Sequence, residues 1–259
     1  MSASPSLHPS VREHREPRIS ANALAQYLVL RPDGQETIVH NARFSRPPIV
    51  TANGDAIRGL CAYNSDPRRD IATLERVKAA LYAKAAHADL KPRDREEARR
   101  CIEAITLFER YENALGLRGM PLSECPRLEP LVVEGVTLSI RPHFLVHGDG
   151  SRIGAGIIRV AKTPDPDACK LDDTRQRRGD ERREMSRYTV AMLQLLLEAQ
   201  GGSLGVPARE LCFVADVRLG ERIDAAPDHT VRVRAVRGAC SQIARAWHFI
   251  TPRNSVLNR

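Results

Sequence analysis

The sequence predicts a mixed α/β protein of the α+β kind, with a helical N-terminal half followed by a mixed sheet flanked by helices. Three observations carry this. Leu131 to Lys162, LVVEGVTLSIRPHFLVHGDGSRIGAGIIRVAK, is mostly period-2 with one apolar face, the mark of half-buried strands. Before it, residues 66–115 show apolar positions at helical spacing. After it comes an oily helical stretch and then a short β run, Leu211 to Val217.

Taken in order, residues 1–17 hold Ser, Pro, His and charge with little to bury, and are expected to be a disordered tail. Ser20 caps a first helix whose Leu24, Tyr27 and Leu28 form a stripe, ending before Pro32-Asp33-Gly34. Residues 31–55, with Pro47-Pro48, read as loop with one short strand. A short amphipathic segment spans Ala56 to Tyr63. Residues 66–90 form a helix that Asp70 caps, with Ile71, Leu74, Val77 and Leu81 at helical spacing. After the break at Lys91-Pro92-Arg93, a long helix runs over 93–115 and stops at Gly116 in the C′ manner.

In the centre, Val132, Glu134, Val136, Leu138 and Ile140 share a parity, Pro142 interrupts, and His147-Gly-Asp-Gly-Ser turns the chain. Two or three antiparallel strands follow one another there. Residues 163–180 read as a Pro-, Asp- and Arg-rich loop. A buried helix covers 180–200, with Asp180, Glu181 and Glu184 at its positive end. Val231 to Val236 alternates as a strand that leads into a last helix over 237–250. The expected division is therefore 1–17 tail, 18–118 helical region and 119–259 α/β core, with helix 93–115 belonging to that core.

Composition bounds the function. A chain of 259 residues, 42% hydrophobic, can bury a sizeable core. No run of 18 apolar residues suggests a membrane span, and the polar N-terminus has no signal-peptide core. Six scattered cysteines without a C-x-x-C pair fit reduced thiols and a cytoplasmic setting. A net charge of +8 favours polyanions such as DNA or RNA. Gly148-Asp-Gly and Gly154-Ala-Gly are not phosphate loops, so no nucleotide cofactor is expected. No covalent-hydrolase motif is present.

The order from residue 95 onward is helix, three strands, helix, strand, helix. This order and two strand phrases, Ser139-Ile-Arg-Pro-His-Phe-Leu-Val and Ile157-Ile-Arg-Val-Ala-Lys-Thr, resemble the PD-(D/E)XK nuclease superfamily, its RecB-like branch in particular. The resemblance implies a restriction-endonuclease-like sheet, with Lys162 at the motif lysine and Glu109 or Glu112 as the upstream acid. It also places His143 where an Asp binds the metal and Val160 where the second acid stands. Without those carboxylates Mg²⁺ loses its oxygen ligands. The implied protein is a catalytically degenerate nuclease-fold pseudoenzyme, without cofactor or metal, in a prokaryotic DNA-processing or defence assembly.

Arg175, Arg177, Arg178, Arg182, Arg183 and Arg187 cluster where loop enters helix, and Arg232 and Arg234 share one face of the expected strand. Guanidinium forks suit phosphate oxygens, which makes Arg175, Arg177, Arg178, Arg182, Arg183, Arg232 and Arg234 the expected nucleic-acid contacts. Two alternatives stand beside this. An active Mg²⁺ nuclease would draw its acids from elsewhere, such as Glu134, Asp149 or Asp165. A structural subunit would dock a protein partner or another copy of itself without nucleic acid.

Overall fold

A computed structural model describes residues 7–46 and 53–257. The architecture is mixed α/β, as the patterning predicts. The N-terminal part contributes strands β1 (Arg12–Glu13), β2 (Arg18–Ser20) and β3 (Phe44–Ser45) and helices α1 (Ala21–Val29), α2 (Pro32–Arg43), α3 (Gly54–Ser65), α4 (Ala72–Ala86) and α5 (Pro92–Leu115). Strands β4 (Leu122–Glu124), β5 (Leu131–Val133), β6 (Val136–Ser139), β7 (Phe144–His147) and β8 (Arg152–Arg159) follow. The chain ends with α6 (Asp172–Ala199), β9 (Val206–Pro207), β10 (Phe213–Asp216), β11 (Glu221–Asp224) and α7 (His229–Ala246).

The main sheet runs β11-β10-β8-β7-β4, with β9 beside the start of β8. Strands β4, β7 and β8 pair antiparallel, with the β5-β6 hairpin between β4 and β7 going to another sheet; α6 then crosses over, and β10 lies parallel to β8 with Asp216 opposite Arg159. One face packs on α3, α4 and α5 through Phe108, Phe144, Ile158, Val160 and Phe213. The other packs on α6 through Leu145, Ala155, Val190, Leu193 and Val214. The two glycines of β8 are there for close approach: a Cβ at Gly154 would run into the backbone of Leu211, and one at Gly156 into the Phe213 ring.

A second, three-stranded sheet, β2-β6-β5, sits with α1, α6 and α7 around its own core of Ile19, Leu24, Leu138, Met192, Val236 and Trp247. The helical first half is thus shared between two cores. Its first helix joins the C-terminal helices, and α3 to α5 cover the main sheet. Helix α6 serves both cores, and from Met185 to Leu197 it is buried nearly all round.

Several local readings differ from the structure. Residues 7–17 fall within the expected tail, yet β1 pairs with β3, and Trp247 Nε1 donates to the His14 carbonyl. Residues 32–43 form a helix where a loop is expected, because Pro32 occupies the first helical position, where its missing N–H is harmless. The supposed single strand from Leu131 is a hairpin in the smaller sheet. Glu134 and Gly135 both take positive φ (46° and 79°), the requirement of a tight hairpin turn, and this turn reverses the parity so that Val132 is exposed. Helix α6 begins at Asp172, with Asp172 and Asp173 in its first turn.

Residues 231–236 are helical, within α7. Arg232, Val236, Ala239, Cys240 and Ile243 are buried along one stripe, so Arg232 points inward while Val231 is exposed. The alternation of Val and Arg is overridden by this 3.6-residue periodicity.

At the end of the main sheet, Arg159, Arg182, Ser186 and Asp216 are all buried. Arg182 Nε donates to Asp216 Oδ2 at 2.6 Å, and its two terminal nitrogens donate to the carbonyls of Ala161, Lys162 and Pro164. Breaking a buried ion pair by removing one partner costs about 3–5 kcal/mol, whereas a solvent-exposed pair is worth about 1 kcal/mol or less. Arg182→Met is therefore expected to destabilise the fold by about 3–5 kcal/mol in urea unfolding. Arg183→Met, which removes the partly exposed pair with Glu221, should cost about 1 kcal/mol or less. Equal losses in the two variants would refute the assignment of Arg182 as the tie between sheet, helix and loop.

Candidate functional site

The residues that the sequence singles out do not converge. Lys162 follows the end of β8 on a loop, and its side chain is 62% exposed. The nearest carboxylate is Asp165, at 3.8 Å. Glu103 of α5 lies close enough for Lys162 to help hold its carboxyl below the usual range, but the main cause of that shift is the hydrogen bond from Arg218. Val160 is in the core that faces α5.

His143 precedes β7 and is a backbone-bonding residue. Its Nδ1 accepts from the Ile158 N–H at 2.9 Å, its own N–H donates to the Gly156 carbonyl, and its carbonyl accepts from Cys125 N–H. The ring thus replaces a backbone acceptor in the ladder between β7 and β8 and carries its proton on Nε2. Burial, and then the nearby Arg141, push its pKa down to about 4. No hydrogen bond or ion pair joins His143 to Lys162 among the described residues.

Glu109 and Glu112 lie on α5 and turn toward the helical layer. Glu109 pairs with Lys78 at 2.7 Å, and Glu112 accepts from the Tyr63 hydroxyl at 2.8 Å and lies 3.5 Å from Arg69. Neither contacts Lys162. Of the alternative acids, Glu134 is in the hairpin turn of the smaller sheet. Among the described residues, no group of three His, Cys, Asp or Glu side chains could hold a metal ion.

The expected arginine surface is largely occupied by its own carboxylates. Arg175 pairs with Asp172, Arg182 with Asp216, Arg183 with Asp180 and Glu221, and Arg232 with Glu184 and Asp228. Arg178 donates to the Asp165 carbonyl. Arg177 and Arg234 are in no ion pair among the described residues. Arg177 lines an open groove of about 720 Å³ between the end of α1 and the first turns of α6, together with Arg183, Arg187, Asp180, Glu181 and Glu184.

Sequence reasoning missed two buried charged groups, Arg159 and Asp216. The signal for them exists: each is a lone charge inside an apolar strand run, GIIRVA and CFVADV, and a charge buried in a core demands a partner. Asp216 also accepts from the N–H groups of Arg218 and Leu219, which fixes the turn after β10.

No helix among the described residues is long and apolar enough to cross a membrane. The chain matches no family model, no curated protein and no solved structure.

The His143 geometry predicts a pH effect. The ring's folded pKa of about 4 is below the ordinary 6.5, so the unfolded chain takes up the proton first. The stability contributed by the neutral ring is complete above pH 6.5 and is lost as pH falls toward 4. His143→Asn keeps an acceptor for the Ile158 N–H without a titrating ring, so the melting temperature of that variant should depend less on pH across this window. A variant whose melting curve tracks the native protein from pH 6.5 to 4 would remove His143 from this role.

Proposed function

We propose that this protein is a non-catalytic nucleic-acid-binding module with a nuclease-like core, working in the cytoplasm as part of a DNA-handling assembly. The observation that carries this reading is the end of β8. There Val160, which the resemblance would align with the motif acid, packs in the core, while Lys162 turns outward beside a single carboxylate. A divalent cation needs several oxygen ligands, and this site offers no such set.

The strand order adds support. A helix, three antiparallel strands, a crossover helix and a strand parallel to β8 occur in that order as α5, β4-β7-β8, α6 and β10, with the β5-β6 hairpin of the smaller sheet inserted between β4 and β7 and β9 between α6 and β10. The net charge of +8 supplies the attraction for a polyanion. Because most of the arginine cluster is internally paired, the direct phosphate contacts fall to side chains outside those pairs, Arg177 and Arg234 among them.

Binding to short fluorescent DNA and RNA strands, followed by anisotropy across a salt series, tests this. Affinity should fall steeply with salt, as counterion release requires. Arg177→Ala with Arg234→Ala should weaken all sequences alike and lower the salt slope by about one for each phosphate that is no longer neutralised. No salt-dependent binding would refute the reading. So would Mg²⁺- or Mn²⁺-dependent strand cleavage that disappears in Lys162→Ala.

A further inference from the structure

Away from the end of β8, the turn after α3 and the turn after α5 enclose a second cavity, of about 510 Å³. It is lined by Asn64, Ser65 and Asp66 from the end of α3, by Arg68 and Arg69 after it, and by Arg118 to Leu122 from the segment between α5 and β4. Three guanidiniums thus meet two carboxylates there, Asp66 in the lining and Glu112 behind it.

The polar groups of the lining are incompletely matched. Asn64 is 4% exposed; its Nδ2 donates to the Leu60 carbonyl, but its Oδ1 has no hydrogen-bond partner. The Ser65 hydroxyl and Arg69 Nη1 are likewise buried without a hydrogen bond. These three are among seven such side-chain atoms in the described residues, so nearly half of the unmatched atoms fall on one cavity. Left unpaired, each such atom costs about 1–3 kcal/mol, so the lining favours a polar occupant, whether water or a ligand.

Arg69 is held firmly. Its side chain is 9% exposed, its Nη2 donates to the Leu117 carbonyl at 2.6 Å, and its guanidinium lies over the Tyr63 ring. Its φ of 48° places a bulky residue in the left-handed region, a strain of about 1 kcal/mol or more. Nη1 is 3.5 Å from Glu112 Oε1, close enough for attraction though not hydrogen-bonded. Arg118, 71% exposed and 3.8 Å from Glu112 Oε1, and Arg68, also exposed, stand at the rim and can swing onto a ligand.

We infer that this cavity is a binding site for a phosphate group, with the arginines of the turn taking the phosphate oxygens and Asn64 Oδ1 accepting from a hydroxyl or amine beside it. Arginine is the side chain suited to this, because its planar fork meets two phosphate oxygens at once. The phosphate belongs either to a polynucleotide chain or to a free phosphorylated small molecule; the ligand chemistry at the arginines is the same. The inference uses none of the residues at the end of β8 and does not rest on the nuclease-like reading.

The test uses the full chain and inorganic pyrophosphate as probe, at constant ionic strength balanced with chloride. Pyrophosphate should raise the melting temperature of the native protein by about 2–4 °C near saturation. The shift should vanish in Arg68→Ala with Arg118→Ala; both side chains are exposed, so the double variant should unfold within about 1 kcal/mol of the native protein. Asn64→Asp, which adds a negative charge in the cavity, should abolish it as well. The same variants are then titrated with labelled single-stranded DNA. A loss of both pyrophosphate and DNA binding identifies a polynucleotide phosphate, and a loss of pyrophosphate binding alone identifies a free phosphorylated ligand. No shift in the native protein, or an equal shift in the double variant, overturns the inference and leaves the cavity to water.

Discussion

The structure hangs on Arg182. Its guanidinium reaches from α6 to the end of β10 and to three carbonyls of the loop that leaves β8. A guanidinium has five donors and no acceptor, so it can bind a carboxylate and a run of carbonyls together, which a lysine ammonium cannot do in the same planar geometry. Two guanidiniums, Arg182 and Arg159, share the carboxylate of Asp216, and burial holds the pKa of Arg159 down at about 10, with Arg182 adding to the effect. The surplus positive charge is met by the carbonyls of Arg182 and Thr163 and by the Ser186 hydroxyl. This arrangement fixes where the chain emerges after β8, and so where Lys162 points.

Helix α6 matters for a second reason. The stretch from Met185 to Leu197 gives only a narrow polar edge, with Arg187 and Gln194, to water, and it lies between the main sheet and the smaller one. A helix that is apolar over most of its circumference must be covered on several sides. In this fold the cover comes from both ends of the chain: α1 from the beginning, α7 from the end, and β8 and β10 from the middle. The early strand β2 pairs in parallel with β6, which draws residues 18–20 into the C-terminal body. A boundary placed near residue 118 therefore separates what this helix joins.

What the sequence made legible follows from period and length. The long amphipathic helices α4 and α5 and the apolar part of α6 are strong patterns, and they lie close to where their spacing puts them. The strands β7, β8 and β10 are short apolar runs bounded by turns, and they are equally visible. The failures come where two principles compete. Pro32-Asp33-Gly34 fits a turn and also a helix start, and the structure has the helix, with Pro32 at its first position and Asp33 in its first turn. Val231 to Val236 fits period 2 over six residues, but the stripe continues at helical spacing to Ile243. For the site, composition shows an excess of arginine but cannot show which arginines are spent on neighbours. Arg182 and Asp216 are 34 residues apart, and Arg69 meets a carbonyl 48 residues away. Such pairings belong to the tertiary fold.

Net charge and available charge therefore part company in this protein. A segment as rich in arginine as residues 175–187 looks like a polyanion surface. Carboxylates three residues before Arg175, Arg183 and Arg187 pair with them, and Asp216 takes Arg182, so four of its six guanidiniums are in pairs before any ligand arrives. An incoming phosphate must then displace a carboxylate already in place, and the gain is only the difference between the two. Where a guanidinium is fixed by a carbonyl and an aromatic ring, as Arg69 is, the remaining donors face no such competition beyond one carboxylate at 3.5 Å. The strained turn at Arg69 thus keeps a guanidinium donor, Nη1, that no hydrogen bond in the described residues uses.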